Sequence, residues 1–475
     1  MRLASRQRGA VHVGWALVAS VALACGGKAH PEPVPTTEAP APTPESPGPS
    51  APFVRFVQDD QPVARAQIGA PVSVQVEGMP KGAAVTLRAS MRTRDQAYAS
   101  WATFTADAAG HVDTQTQAPI EGTWSGADPD AIVWSMAKVS SAPIDLDRFD
   151  IRVVAEVGGK EMAAGTLVRF HASDTIRRVS ISSPARGVLY APTDAPARGA
   201  LLVLGGDAPG VTEAESVAAW WATRGYVALA LAHFGEGALP ATRTEIPLEY
   251  FERAIDWLAA QPEVSGKKIV AMGASRGGEL ALLLGATSSK LGGVVAEAPS
   301  GVVWGAASGD GEKATWTYRG APVAWVPSSG AAPSVAVGAD GELVYRYAPA
   351  YESALDAATP AALSAAVTHV ERTLGPVLLF AGDDDGFWPA CDLSKISYDR
   401  LVDASHLAQY GDYMICYPGA GHVLGLPGMP TTDVSVVYDV TLRRWLSLGG
   451  TPQGTARAQR DIYRRVTAFV DDVTR

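Results

Sequence analysis

Hydrophobic and polar positions alternate in the early part of the chain, which is typical of short strands with one buried face. Val72, Val74 and Val76 alternate with polar neighbours. Turn-forming sequences such as the one around Gly110 separate the alternating runs. This pattern predicts an antiparallel, all-β sandwich over residues 53–175. Similar alternating runs are found at residues 85–91, 101–105, 151–157 and 166–170.

The pattern changes near residue 177, where short, continuously apolar runs begin to alternate with helical patterns. Strands that are apolar on both sides belong in a parallel sheet with helices on both faces. We therefore expect an α/β domain over residues 176–475. Residues 299–358 are rich in Gly, Ser and Pro, and are expected to be an insertion that could cap a binding site. The predicted strands are residues 187–190, 200–204, 226–232, 268–272, 293–297, 376–381 and 412–417, and the predicted helices include 248–260, 361–372 and 459–473.

The N-terminus has the features of an export signal. Arginines precede an apolar stretch, residues 10–24, that is too short for a typical membrane span. Small residues before Cys25 resemble the lipidation motif of bacterial lipoproteins, with the usual leucine displaced by one position to Leu23. We expect a signal peptide at residues 1–24, lipidation of Cys25 and a location in the bacterial cell envelope; ordinary cleavage or an uncleaved anchor are the alternatives. The Pro-rich residues 25–52 are predicted to form an extended linker.

The composition limits the kinds of partner. The 475 residues are 47% hydrophobic and carry a formal net charge of −10, which suits a globular protein of two or three domains. Long basic tracts are missing, so we expect no nucleic-acid partner and no membrane contact other than the lipid anchor at Cys25. Nucleotide- and zinc-binding motifs are also missing, and no cofactor or metal is expected. Cys391 and Cys416 either pair or remain buried thiols.

One turn between a predicted strand and a predicted helix has the sequence Gly-Ala-Ser-Arg-Gly, at residues 273–277. This is a G-x-S-x-G motif, in which a serine on a sharp strand-to-helix turn exposes its hydroxyl group. The motif alone is weak in a chain with 48 glycines, where it can be an ordinary glycine-rich turn. The strand before it and the apolar helical stripe after it indicate that Ser275 is a nucleophile.

A serine nucleophile needs a general base and an acid that orients this base. Asp385 and His422 follow Ser275, each at the end of a predicted strand, in the order nucleophile, acid, histidine of the α/β-hydrolases. We assign Ser275 as the nucleophile, His422 as the general base and then acid, and Asp385 as the residue that orients the imidazole. Asp383 and Asp384 compete with Asp385 for the last role.

The same arrangement needs N–H groups that bind the oxyanion. The backbone N–H of Arg276 lies at the start of the predicted helix and is the first candidate. A second donor is expected from the glycine-rich loop after residues 200–204. The sequence leaves open whether this donor is the N–H of Gly206 or that of Asp207.

Several stretches of the chain resemble one family of proteins. They are residues 248–252, 262–264 and 273–280, residues 416–422, and, in the β part, residues 85–90 and 132–136. All resemble the acyl-CoA thioesterases, the group that includes bile-acid-CoA:amino-acid N-acyltransferase, and the resemblance extends from about residue 60 to the C-terminus. It implies an immunoglobulin-like sandwich packed on an α/β-hydrolase domain. It also implies a thioesterase with Ser275, Asp385 and His422 as its catalytic triad.

The resemblance favours hydrolysis of acyl thioesters such as fatty acyl-CoA through an acyl-enzyme. The amino-acid transferases of this family carry cysteine at the nucleophile, so Ser275 favours water as the acceptor. However, export would separate the protein from cytoplasmic acyl-CoA, and an acidic chain does not attract the polyanionic CoA. An exported carboxylesterase acting on oxygen or lipid esters, a surface lipoprotein that only binds, and an acyltransferase to amines therefore stay open as alternatives.

Overall fold

The structure, a computed structural model, describes residues 51–93, 96–140, 149–308, 311–328, 332–338, 340–425, 427–439 and 442–474. The predicted signal peptide, Cys25 and the predicted linker up to residue 50 lie outside the described residues. Contacts divide the chain after Gly48, and the stretch from Pro49 to Arg475 is a compact unit by itself. This unit contains three hydrophobic cores.

Two sheets form the N-terminal part of this unit. Alternate residues such as Val74 and Leu87 meet in one core between them, which confirms the predicted sandwich. A short buried helix, Ala131–Trp134, adds to this core. In spatial order, one sheet consists of Gln61–Val63, Phe53–Gln58, Ser73–Glu77 and Val112–Asp113. The other consists of Arg65–Gln67, Lys160–Phe170, Ile151–Val157, Ala84–Arg92, Ala97–Thr105 and Glu121–Gly122, with Ala137–Val139 paired to Ala97–Thr105.

An eight-stranded sheet, the main sheet, organises the C-terminal part. Its first two strands pair antiparallel and the remaining six lie parallel. Helices pack on both faces, which confirms the predicted α/β-hydrolase class. In spatial order the strands are Ile176–Ile181, Gly187–Pro192, Val227–Leu231, Ala200–Leu204, Ile269–Ala274, Leu291–Glu297, Val377–Gly382 and Tyr413–Tyr417. The α-helices are Thr212–Thr223, Leu248–Ala259, Arg276–Thr287, Ala348–Ala357, Pro360–Ala366, Ala390–Asp403, His406–Tyr410 and Pro452–Thr474, and the 3₁₀ turns are Val370–Arg372 and Thr431–Asp433.

The two faces of the main sheet bury separate cores because successive side chains of a strand point to opposite sides. Leu202 belongs to the core that also contains the helix Leu248–Ala259. The next residue, Val203, belongs to the core that also contains the helices Thr212–Thr223 and Pro452–Thr474. Double-sided burial explains why these strands are continuously apolar in sequence.

A four-stranded outer sheet joins the predicted insertion to a later part of the chain. Two of its strands, Ser334–Val337 and Leu343–Arg346, come from residues 299–358, and the other two, Val436–Asp439 and Arg444–Ser447, follow the main sheet in sequence. The insertion therefore contains regular structure that its Gly- and Ser-rich composition did not predict. It also contains a hairpin of Ala306–Ser308 and Gly311–Lys313. Two more of its strands, Trp316–Tyr318 and Ala321–Pro322, form a three-stranded sheet with the earlier strand Ile246–Pro247.

A disulfide bond links Cys391 to Cys416. It connects the helix Ala390–Asp403 to the strand Tyr413–Tyr417 at the edge of the main sheet. The sequence had left this pairing open. Within the described ranges, the helices are too short or too polar to cross a membrane.

Candidate active site

Ser275 sits on the predicted strand-to-helix turn in a backbone conformation that residues with a side chain rarely adopt. Its φ is 57° and its ψ is −124°, between the strand Ile269–Ala274 and the helix Arg276–Thr287. The two glycines make this turn possible. A Cβ on Gly273 would lie 2.3 Å from the carbonyl oxygen of Gly277, and a Cβ on Gly277 would lie 2.5 Å from that of Leu204. The G-x-S-x-G spacing thus follows from the close approach of the backbone.

The structure brings Ser275, His422 and Asp385 together. The Oγ of Ser275 lies 2.9 Å from Nε2 of His422, and Nδ1 of His422 lies 2.7 Å from Oδ2 of Asp385. The side chain of Asp385 is almost fully buried, at 1% exposure, and that of His422 is 11% exposed. A proton on Nδ1 then leaves the lone pair of Nε2 directed at the serine hydroxyl, which is the arrangement that a general base requires.

Neighbouring groups fix the orientation of Asp385 and His422. The second carboxylate oxygen of Asp385 accepts hydrogen bonds from the N–H groups of Phe387 and Trp388, at 2.8 and 3.2 Å. The rings of Phe387 and Trp388 contact the imidazole, with centroids 4.9 and 5.8 Å away. The N–H of His422 also donates to the carbonyl of Leu448 at 2.8 Å. None of these aromatic contacts was predicted, although the two rings lie two and three residues after the assigned acid in sequence.

The two competing carboxylates hold loops. Asp383 accepts a hydrogen bond from the N–H of Gly419 at 2.7 Å. Asp384 accepts one from the N–H of Gly450 at 2.9 Å and pairs with Arg346 at 3.0 Å. Of the three adjacent acids, Asp385 is the one whose carboxylate contacts His422.

The predicted oxyanion donors differ in their surroundings. Arg276 is the first residue of its helix, so its N–H is one of the groups that lack an intrahelical acceptor. The N–H of Gly206, in contrast, donates to Oε2 of Glu213 at 2.9 Å. In the conformation described, this N–H therefore has a carboxylate as its acceptor, and its role toward a substrate stays a prediction. The carboxylate of Asp207 pairs with Arg243.

A cavity of about 420 Å³ opens beside Ser275 and His422. This volume lies in the range of small-molecule sites. The outer sheet contributes to its lining through its two later strands, and no residue of 299–358 is among the described lining residues. The expectation that this insertion caps the site stays a prediction. Most of the walls are apolar, formed by residues that include Trp220, Trp221, Met272, Phe387, Leu424, Leu446, Ile462 and Val466.

Glu297 is an acid in this cavity that sequence reasoning missed. It ends the strand Leu291–Glu297, its carbonyl accepts the N–H of Ser275 at 2.8 Å, and its side chain lines the cavity. Burial raises the pKa of its carboxyl group to about 8. The sequence signal was an acid at the end of the otherwise apolar run 293–297, the predicted strand that follows the Ser275 turn. The described lining also includes Asp207, Glu213 and Asp439 but no Lys or Arg.

The described residues contain no group of three or more His, Cys, Asp or Glu side chains that could hold a metal ion.

Known proteins match both halves of the chain. The family description "Acyl-CoA thioester hydrolase/BAAT N-terminal region" matches residues 69–183, and "BAAT / Acyl-CoA thioester hydrolase C terminal" matches residues 246–474. Acyl-coenzyme A thioesterase 2, mitochondrial, of Rattus norvegicus is 28% identical over 423 residues, which cover 86% of this chain and 87% of that protein.

Two further relatives cover the chain equally well. Acyl-coenzyme A thioesterase 6 of Homo sapiens is 27% identical over 423 residues, 86% of this chain and 94% of that protein. Acyl-coenzyme A amino acid N-acyltransferase 2 of Mus musculus is 26% identical over 426 residues, 86% of this chain and 95% of that protein. The resemblance seen in the sequence is confirmed, and the chain belongs to the acyl-CoA thioester hydrolase/BAAT family.

Proposed function

We propose that the chain is a serine hydrolase that cleaves acyl thioesters through an acyl-enzyme on Ser275. The observation that carries this proposal is the hydrogen-bonded series from Ser275 through His422 to Asp385 at one end of an apolar cavity. Membership in a family of thioester hydrolases supports the choice of bond.

In the proposed reaction, Nε2 of His422 takes the hydroxyl proton as Oγ of Ser275 attacks the thioester carbonyl. The tetrahedral intermediate collapses, the C–S bond breaks, and His422 returns the proton to the leaving thiolate. Water then gives a proton to His422 and attacks the acyl-enzyme, which releases the carboxylic acid and restores the serine hydroxyl. Asp385 stabilises the charged imidazole in both halves of the cycle.

Two backbone groups are proposed to bind the oxyanion. The N–H of Arg276 is directed from the start of its helix. The second donor is the N–H of Gly206 or that of Asp207, as the sequence left open. For Gly206 to act, its N–H must leave the carboxylate of Glu213. The carbonyl oxygen of the substrate would then replace this carboxylate as the acceptor.

An oxygen-ester hydrolase is the second candidate, and the charges of the cavity favour it. CoA carries several phosphate charges, whereas the described lining residues include four acids and no Lys or Arg. A leaving group without this charge would meet no repulsion. The acyl half of either substrate suits the apolar walls equally well.

Release of thiol and of p-nitrophenol distinguishes these candidates. We would follow acyl-CoAs of several chain lengths beside matched p-nitrophenyl esters, using residues 51–475, which contain all three cores. Higher kcat/KM for thioesters supports the proposal, and higher kcat/KM for oxygen esters supports the second candidate. Activity that persists in Ser275→Ala refutes the assigned nucleophile, and a folded protein without activity on either substrate supports a binding lipoprotein.

Acyl transfer to an amine has its own readout. Excess glycine added to the thioesterase assay yields an acylglycine conjugate if the acyl-enzyme reacts with amines. We expect only free acid, since the resemblance implies cysteine at the nucleophile of the transferases, and this chain has Ser275 there.

We also propose that a lipid on Cys25 anchors the protein in the bacterial cell envelope. The support is the sequence before this cysteine and the Pro-rich residues 25–52 after it. Metabolic labelling of the full chain with an alkyne fatty acid should mark the parent and leave Cys25→Ser unlabelled. Equal labelling of both proteins would refute the anchor at this residue.

A further inference from the structure

Exposed apolar side chains gather on the outer sheet. Of the twelve large hydrophobic residues that are exposed in the described part of the chain, seven lie in its strands or in the turn at Leu442. Surface hydrophobic residues of a monomer are normally scattered, so a cluster of this kind marks an interaction surface. The seven are Val335, Val337, Leu343, Val436, Tyr438, Leu442 and Trp445.

Both hairpins of the outer sheet turn at the same end. Val337 lies opposite Leu343 across the first hairpin, and Tyr438 lies opposite Trp445 across the second. The returning strands of the two hairpins run parallel to each other, so the two turns project side by side. Trp445 is the register partner of Val344, so Tyr438 and Trp445 lie on the opposite face of the sheet from Val337 and Leu343. This end of the sheet therefore exposes apolar side chains on both faces, and together with Leu442 they form the apolar tip: Val337, Leu343, Tyr438, Leu442 and Trp445.

The sheet that carries the apolar tip is also a wall of the cavity. Val437, Asp439 and Leu446 line this cavity. Leu446 is the register partner of Val437 on one side and of Tyr345 on the other, which places the three side chains on one face. Leu343 and Val337 of the tip lie on this same face, so the face of the outer sheet that lines the cavity continues to the tip.

The charges around the apolar tip nearly balance. Arg443 and Arg444 follow Leu442, while Asp340 and Glu342 belong to the first hairpin and Asp439 to the second. A surface with this charge gains nothing from attraction to anionic lipids. Its aliphatic residues with Tyr and Trp are instead the mixture that inserts at the interface of a bilayer.

We propose that the apolar tip docks onto a phospholipid bilayer and brings the cavity to membrane lipids. Residues 26–52 separate the predicted lipid on Cys25 from the first strand, Phe53–Gln58. Roughly 27 Pro-rich residues at ~3.1 Å each extend to ~80 Å, which exceeds the diameter of about 60 Å expected for a globular unit of this size. The linker would therefore allow any face to reach the bilayer, and the apolar tip selects the face.

Vesicle flotation tests this docking without a lipid anchor or any catalysis. Residues 51–475 contain the three described cores and lack Cys25, so binding to phosphatidylcholine vesicles reports the protein surface. We expect the parent to float with the vesicles at low and high salt alike. Val337→Ser, Leu343→Ser and Leu442→Ser together should lower the vesicle partition coefficient at least about tenfold, because three exposed apolar side chains are removed.

A matched triple variant provides the control. Ile120→Ser, Leu374→Ser and Val402→Ser change three residues that are equally exposed but lie off the outer sheet, and flotation should be unchanged. Thermal unfolding checks that both triple variants remain folded. Three outcomes would each overturn the proposal. The parent does not float, both triple variants lose the same amount of binding, or the parent binds no vesicles and forms a dimer that the tip substitutions separate. Flotation and hydrolysis are separate readouts, so failure of either proposal leaves the other standing.

Discussion

Replacing Glu297 by glutamine tests the interior of the cavity. Glu297 lines the largely apolar cavity next to Ser275, and burial raises the pKa of its carboxyl group to about 8 from an ordinary value of 4.5. At neutral pH the carboxyl group is therefore mostly protonated in the folded protein and ionised in the unfolded chain. Glutamine has nearly the same shape as the protonated acid but cannot ionise, so Glu297→Gln removes this one titration.

The sign of the pH effect follows from proton binding. Between pH 4.5 and about 8 the folded state holds a proton that the unfolded state has lost, so the free energy of unfolding falls as the pH rises, by up to about 1.4 kcal/mol per pH unit. The stabilisation of the folded state by this bound proton is fully present below pH 4.5 and is lost by about pH 8. The shift sets an upper value of about 5 kcal/mol for the total loss, and we expect roughly 2 to 3 kcal/mol because the side chain faces the cavity rather than closed protein.

Urea unfolding at pH 5, 6.5 and 8 measures the effect. The difference in free energy of unfolding between Glu297→Gln and the parent should be small at pH 5 and should grow with pH in favour of the variant. Other buried acids such as Glu279 are present in both proteins and cancel in the difference. Glu161→Gln, which changes an exposed strand residue, should show a constant difference. A constant difference for Glu297→Gln as well would refute a buried, neutral carboxyl group.

Three further changes test the site and its support. Asp385→Asn should lower kcat about 10³- to 10⁴-fold in the hydrolysis assay, because Asn stabilises the wrong tautomer of His422 and no longer balances the charge of its imidazolium form. As the control, Asp384→Asn should keep kcat within a few-fold of the parent. Equal losses would refute the assignment of Asp385. Gly273→Ala should yield little folded protein by circular dichroism, since the new Cβ would meet a carbonyl oxygen at 2.3 Å; a normal thermal transition would contradict this. Changing Cys391 and Cys416 to alanine together opens a loop with a sequence separation of 25 and should lower stability to urea by about 3 to 4 kcal/mol, whereas an unchanged transition would show that the bond does not constrain the unfolded chain.

Short-range patterns were sufficient for the elements that hold the predicted site. A parallel strand buried on both faces is a continuous apolar run, so residues 200–204 could be recognised before their partners were known. The turn at Ser275 is partly local, because Gly273 is required by its contact with the backbone of Gly277, whereas Gly277 is required by the neighbouring strand end at Leu204. The C-terminal helix begins seven residues before its predicted start at 459, at Pro452. Thr451 caps it through the N–H of Gly454, a Thr-Pro start signal that periodicity alone does not register.

Features that depend on distant pairing could not be predicted in this way. The outer sheet pairs Leu343–Arg346 with Arg444–Ser447, about 100 residues away, and each of its strands has four residues. Four residues give too short an alternation to distinguish a strand from a loop. The link between Gly206 and Glu213 is a side chain folding back on a loop, and no spacing rule predicts where such a carboxylate comes to rest.

The charge of the cavity also affects how well it binds a substrate with an anionic leaving group. The described lining contains four acids, of which Asp207 pairs with Arg243 and Glu297 is largely protonated near neutral pH; the other two are Glu213 and Asp439. Repulsion between exposed charges weakens with salt, over a screening length of about 10 Å at 0.1 M. The KM for an acyl-CoA should therefore fall as salt rises from 10 to 300 mM, while the KM for the same acyl group on N-acetylcysteamine, a neutral thiol, should stay constant. Steady-state thiol release gives both values. A KM for acyl-CoA that rises with salt would instead require cationic groups that attract CoA, and would return the polyanionic thioester to first place among the candidate substrates.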